Sequence, residues 1–221
     1  MLAGHLGAGL ILKRVYPSVN LGVFFLAALF LDVVLWVFIL LGIESIRIPA
    51  DFQQRHYLTF FFPYSHGLVS SLFWSLLFGL ICYGFLRTSS TVRCRAACIL
   101  VIAVFSHFIL DFLVHVPEMP VWGRASHPLG LGLWKHLPLA LGLETLIALT
   151  GTYLWLQNSK QSFARRLTLG LLMGLVTAMT MVGPWLQTSP PEPFQVAISS
   201  LTVIFLLFGA GIWIDRKSFG L

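Results

Sequence analysis

"RAACILVIAVFSHFILDFLVH" occupies residues 95–115. After Arg95 it is apolar for roughly the 20 residues that cross a bilayer as a helix. Yet it carries His107, Asp111 and His115 at successive spacings of four. Ionisable side chains are expensive in hydrocarbon, and those found there face a cavity or the interior of a bundle and pair with something. The stretch therefore predicts two things at once: a spanning helix, and a polar site that the helix serves.

The rest of the chain repeats the first signal. Its 221 residues are 57% hydrophobic and 10% charged, with a mean hydropathy of +0.88. That is far from a soluble globular domain. About six apolar spans of membrane length can be drawn, at 20–43, 66–87, 95–116, 137–157, 167–187 and 194–214. "MLAGHLGAGLILKR" before them is too short to cross, and reads as a helix either half-inserted or lying in the interface. No cleavable signal peptide is evident, because no charged segment precedes the first apolar residues. The expected fold is all-α: a polytopic transmembrane helix bundle forming one domain. Residues 1–160 would form its core and 161–221 two further helices packed on it. "QTSPPEPF" reads as an external turn between the last two spans.

A net charge of +6 would suggest nucleic acid in a soluble protein. Here the basic residues are scattered in short loops, so membrane topology explains them and no nucleic-acid partner is expected. Lys13, Arg14, Arg87, Arg93, Arg95, Lys160, Arg165, Arg166, Arg216 and Lys217 fall on one side, and Arg47, Arg55, Arg124 and Lys135 on the other. The positive-inside rule then puts both termini in the cytoplasm. Cys82, Cys94 and Cys98 form neither a disulfide framework nor a zinc knuckle, and read as small core residues.

Orientation converts to depth. At 1.5 Å per residue, His107 and Asp32 each lie about 18 Å above the cytoplasmic end of their span, with Asp111 at about 24 Å and His115 at about 30 Å. His66 opens the second span from the outer side, Glu144 lies seven residues down the fourth, and a half-inserted first helix would raise His5 about 12 Å above Lys13 and Arg14. All can meet in the middle to outer part of the membrane. The i, i+4, i+8 spacing keeps His107, Asp111 and His115 on one side of a helix. No Lys or Arg lies at that depth to neutralise the acids, and neutral imidazoles cannot. A divalent cation satisfies both residue types, and mixed His and carboxylate ligation with an open position is the pattern of a catalytic zinc-type site. Water on such a metal becomes a nucleophile near neutral pH.

The candidate ligands are His5, Asp32, His66, His107 and Asp111, with His115 or Glu144 to assist proton transfer. Ser65 and Ser106, each directly before a histidine, are either donors to those rings or small helix-packing residues. His56, His127 and His136 read as loop histidines, and Tyr64, Trp122 and Trp134 as interfacial belt residues. No GxSxG, HExxH or phosphate-cradling glycine motif is present.

In the order His5, Asp32, His66, then HxxxD at His107 and Asp111 with His115 beyond, the chain resembles bacterial inner-membrane proteins described as membrane-bound metal-dependent hydrolases. These are similar in motif order to the zinc-dependent phospholipase C and single-strand nuclease superfamily. "GHLGAGL", "LAALFLDVV", "YSHGLVSSL" and "SHFILDFLVHVPEMP" carry the likeness, over about the first 160 residues. The resemblance implies that Asp32, His66, His107 and Asp111 hold one metal, zinc first and manganese or iron as alternatives. It implies that His5 and Asp111 share in a second, Asp111 bridging. The soluble phospholipases also use a later HxxxE pair, which His115, His136 and Glu144 do not reproduce. The expected function is hydrolysis of a phosphoester, with a membrane lipid or lipid-linked molecule as substrate. The other readings are a transporter or channel with an intramembrane His/Asp path, against which no inverted repeat is visible; a haem protein, which would not need the carboxylates; and a non-catalytic protein with a structural metal site.

Overall fold

Helix α1, Leu2–Val15, is too short to cross a bilayer, and it does not lie on a surface. In the computed structural model, which describes residues 1–86, 88–187 and 189–216, Ala3, Leu6 and Leu10 of α1 are wholly buried. The half-inserted alternative therefore holds. A helix can sit this deep only if its neighbours come close, and glycine permits that. A Cβ on Gly7 would stand 2.5 Å from the carbonyl oxygen of Ile147, on α7 (Leu137–Asn158). Gly151 of α7 in turn touches the Gly7 carbonyl. The two helices run parallel, with Gly4 against Glu144 and Gly7 against Ala148.

Around this pair stand α2 (Leu21–Ala28), α3 (Phe30–Leu40), α5 (Leu68–Phe85), α6 (Ser90–Val114), α8 (Phe163–Leu186) and α9 (Pro193–Ile214). A one-turn helix α4, Phe52–Arg55, lies in the connection between α3 and α5. Among the described residues, five helices are long and apolar enough to span a membrane, and α2 with α3 makes a sixth span if they count as one bent helix. Their outer faces agree: Leu72, Phe73, Leu76 and Leu80 of α5 and Leu171, Leu175 and Met179 of α8 are all exposed. Contiguous apolar surface of that extent needs lipid around it. The chain is an integral membrane helical bundle.

Two short antiparallel pairs close the loop end of the bundle. β1 (Ser45–Arg47) pairs with β2 (Thr59–Phe61), and β3 (Met119–Pro120) with β4 (Pro128–Leu129). The opposite end is tied by a buried ion pair. Lys13 Nζ lies 2.6 Å from Asp215 Oδ2 and donates to the carbonyls of Pro17 and Val19. Asp215 Oδ2 also accepts the Leu21 N–H at 2.9 Å. Lys13 is thus a tether between α1, α2 and α9, and not the loop charge expected from its position.

Other expectations shift. The first span is not one helix: α2 and α3 meet at Leu29 with a bend of 52°. His66 precedes α5, in the turn that leads into it, and Arg87 lies outside the described residues. His115 is the residue after α6, in an extended conformation with ψ 143, so only His107 and Asp111 keep the helical ladder. Cys94 and Cys98 are exposed on the apolar exterior and Cys82 is half-buried, so none is a core residue. In the external turn, Glu192 caps α9 by accepting the Gln195 N–H at 2.8 Å; Thr188, like Lys217 at the chain end, lies outside the described residues.

The α1–α7 seam gives a direct test. Gly151→Val drives a branched side chain into the Gly7 backbone, and lowers the stability of the detergent-solubilised protein by about 3 kcal/mol or more. Gly174→Ala, with nothing within 4 Å of the new methyl, leaves it unchanged or raises it by up to about 1 kcal/mol. Thermal unfolding of the two variants reads the difference.

Candidate metal centre

The bend at Leu29 releases a backbone carbonyl inside the bundle. Helix breaks at membrane depth are tolerated where a neighbour satisfies the freed group. Here the Ala28 carbonyl accepts from His107 Nδ1 at 2.7 Å. A carbonyl can only accept, so Nδ1 carries the proton, and the neutral ring has a bare lone pair on Nε2.

That lone pair points at a crowd. His107 Nε2 lies 3.1 Å from Asp111 Oδ2, 3.6 Å from Asp32 Oδ1 and 3.1 Å from His66 Nε2. His66 Nε2 lies 3.6 Å from Asp32 Oδ1 and 3.5 Å from Asp111 Oδ2. Four donor atoms from α3, α6 and the turn before α5 thus hold five separations between 3.1 and 3.6 Å. Neighbouring ligands on a tetrahedral ion with bonds of about 2.0–2.1 Å stand roughly 3.3 Å apart.

The other histidines repeat the logic of His107. His66 Nδ1 lies 2.8 Å from Ser65 Oγ, and that hydroxyl donates to Glu44 Oε2 at 2.6 Å. Ser65 Oγ must then accept from His66, which bares His66 Nε2. Glu44 is buried, and its Oε1 also takes the Tyr64 and Ser65 N–H groups at 2.7 and 2.9 Å. Burial pushes the Glu44 carboxyl above its ordinary value, and these donors oppose the rise; the carboxylate is the form that accepts all three. His115 Nδ1 donates to Glu118 Oε1 at 2.6 Å, which again bares Nε2, 3.8 Å from Asp111 Oδ2. Three rings are therefore turned outward through Nδ1 and inward through lone pairs. Inward they meet carboxylates. With the rings neutral, lone pairs facing lone pairs in a low-dielectric interior repel unless a cation lies among them. A carbonyl or carboxylate behind the ring, reached directly at His107 and His115 and through the Ser65 hydroxyl at His66, is also the usual backing of a metal-ligating histidine.

His5 completes the group from α1. Its ring stacks on that of His107 with centroids 3.7 Å apart, and its Nε2 is 3.1 Å from Asp111 Oδ1. The two oxygens of Asp111 thus face different partners. Two overlapping sets could hold a metal ion, His5–His107–Asp111 and Asp32–His66–His107. All five ligand candidates come together. His115 stands at their edge. Glu144 does not join them: it accepts the backbone N–H groups of Ala3 and Gly4, capping the start of α1, and its Oε2 has no hydrogen-bond partner among the described residues.

A cavity of about 310 Å³ opens onto the group. Asp32, with its side chain 23% exposed, His66, Asp111 and His115 line its polar side. Leu35 and Trp36 of α3 and Val203 and Ile204 of α9 give it an apolar side, with Ser199 of α9 also in the lining. Trp134, expected to be a belt residue, lies 4.1 Å from His115 between ring centroids. Comparison of the chain with protein-family models, with curated proteins and with solved structures finds no match.

Sequence reasoning missed Glu44 and Glu118. Glu118 carried a signal, the HxxE spacing from His115; Glu44 sits 22 positions from His66 and carried none. Of the two serines, Ser65 backs His66, whereas Ser106 donates to the Ala103 carbonyl within its own helix at 2.8 Å and has no part in the centre. Accordingly, Ser65→Ala weakens zinc binding by about 10- to 100-fold, whereas Glu118→Gln, behind a ring outside the ligand sets, and Ser106→Ala leave it unchanged, in competition titrations of the purified protein against a zinc chelator. Equal affinity across all three variants would contradict the assigned backing.

Proposed function

We propose that this chain is a metal-dependent hydrolase of the bacterial inner membrane, using zinc, or manganese or iron, to cleave a phosphoester in a lipid or lipid-linked substrate. The observation that carries the reading is the convergence of bared imidazole nitrogens and carboxylate oxygens at 3.1–3.6 Å. The motif order that resembles membrane-bound metal-dependent hydrolases supports it, as does the open cavity beside Asp32. In this reading Asp32, His66, His107 and Asp111 hold one ion, and His5 with Asp111 Oδ1 shares in a second. The chemistry a divalent ion supplies in such a place is activation of water near neutral pH and polarisation of a phosphoryl oxygen.

The protein's own groups supply the rest. His115, held by Glu118 and open to the cavity, carries a proton to or from the reacting oxygen. Glu144, which caps α1, keeps His5 at its depth, so its contribution is to positioning. The aromatic residues Trp36, Phe60, Phe62 and Trp134 line the cavity and would narrow its access to bulk water. The wall from α3 and α9 would take an acyl or prenyl tail, which suits a substrate that never leaves the bilayer. With both termini on the cytoplasmic side, the site opens toward the outer leaflet.

Elemental analysis of purified protein tests the reading. Wild type carries zinc, manganese or iron at about one equivalent or more, and Asp111→Ala carries almost none. His115→Ala keeps its metal but cleaves bis(p-nitrophenyl) phosphate about 100-fold more slowly or worse. Wild-type protein with no stoichiometric metal after purification without chelators, and none on adding back each ion, contradicts the proposal.

A further inference from the structure

Behind Trp134 lies a second cavity, of about 600 Å³. Trp134 belongs to the walls of both. The second one is built from segment 54–57, at the end of α4, and segment 134–139, which leads into α7, together with Trp185 at the end of α8. Its chemistry differs from that of the metal cavity. Arg55, His56, Lys135 and His136 line it beside Tyr57, Trp134 and Trp185, and no carboxylate is among its lining residues. The nearest acid in contact is Asp51, which holds Arg55 Nε at 2.5 Å; Arg55 Nη1 reaches only Tyr57 Oη, at 3.5 Å. His56 ends α4 in the left-handed conformation, φ 56, with its ring 4.9 Å from that of Trp185. Its Nδ1 is buried and has no hydrogen-bond partner among the described residues. An orphaned buried ring nitrogen calls for an explanation, and a ligand that supplies the partner is one.

We propose that this groove binds a phosphate group, either one carried on the head of the lipid substrate beyond the scissile ester or free phosphate. Guanidinium and ammonium groups make charge-assisted hydrogen bonds to phosphate oxygens; Asp51 engages the Nε edge of Arg55, and no carboxylate lines the groove itself. The inference deepens the hydrolase reading and rests on it for the link between cavities. An amphiphile would lie with its tail against Leu35 and Val203, its ester at Asp32, His66 and Asp111, and its outer phosphate past Trp134.

The test uses the full chain in detergent. Inorganic phosphate binding is followed by calorimetry, and bound zinc by elemental analysis, in wild type, Asp111→Asn, Arg55→Gln/Lys135→Gln and the triple variant. Arg55 and Lys135 are exposed at the rim, so their loss does not disturb the core. Asp111→Asn, without its metal, still binds phosphate; the triple variant binds about tenfold more weakly or worse, for two lost charge-assisted contacts. Arg55→Gln/Lys135→Gln keeps the zinc content of wild type. Phosphate affinity untouched by the paired substitution, or abolished by Asp111→Asn alone, overturns the groove. Wild type without zinc overturns the hydrolase reading, while phosphate binding that depends on Arg55 and Lys135 still supports the groove. Dihexanoyl phosphatidic acid separates the two sources. Tighter binding than inorganic phosphate assigns the groove to a lipid head; equal binding assigns it to the free ion.

Discussion

The hydrogen bond from His107 Nδ1 to the Ala28 carbonyl is the contact on which the centre depends. It answers two problems with one proton. A helix broken inside a membrane leaves a carbonyl that water cannot reach, and that carbonyl needs a donor. A histidine in the same interior needs its ring fixed and its tautomer chosen. Joining them sets Nε2 as a lone pair aimed between Asp32, which follows the break, and Asp111, one turn along α6. Had α2 and α3 run straight, the Ala28 carbonyl would have been spent inside the helix. The 52° bend is thus part of the site.

The same economy recurs at two further rings. Buried polar atoms must be satisfied, and the outward nitrogens of three rings have dedicated acceptors: Ala28 for His107, Ser65 relayed to Glu44 for His66, Glu118 for His115; His5 Nδ1 has none among the described residues. The acceptors sit in loops or at helix ends, where backbone and acidic groups are available. The inward nitrogens have only one another and the carboxylates. The apolar shell of Leu6, Phe24, Leu31 and Phe62, all buried, gives this arrangement its force, because the low dielectric that strengthens satisfied contacts also raises the cost of unsatisfied ones.

The helical bundle was legible in the sequence because membrane solvation is a blunt constraint: apolar runs of the required length have few other uses. The ligand candidates were legible for the converse reason, since His and Asp are conspicuous in such runs. Hidden features were those that depend on shape. Nothing in "LAALFLDVV" marks Leu29 as a bend, because no proline or glycine stands there and the break is sustained by the tertiary bond from His107. Lys13 followed an apolar run and resembled a boundary charge, but its partner Asp215 lies at the far end of the chain. Glu44 could not be tied to His66 without knowing that Ser65 lies between them. The cavity wall from α9 was equally invisible, since Ser199, Val203 and Ile204 are ordinary residues for a spanning helix.

The central claim is that imidazole and carboxylate groups, and no sulfur, hold the metal where α1, α3, α6 and the turn before α5 meet. Zinc K-edge X-ray absorption of the zinc-loaded protein addresses it most directly. The account predicts a first shell of nitrogen and oxygen at about 2.0–2.1 Å with the outer-shell scattering of at least two imidazoles, both features lost in His107→Ala. A sulfur shell at about 2.3 Å, or a nitrogen and oxygen shell without imidazole scattering, would contradict it.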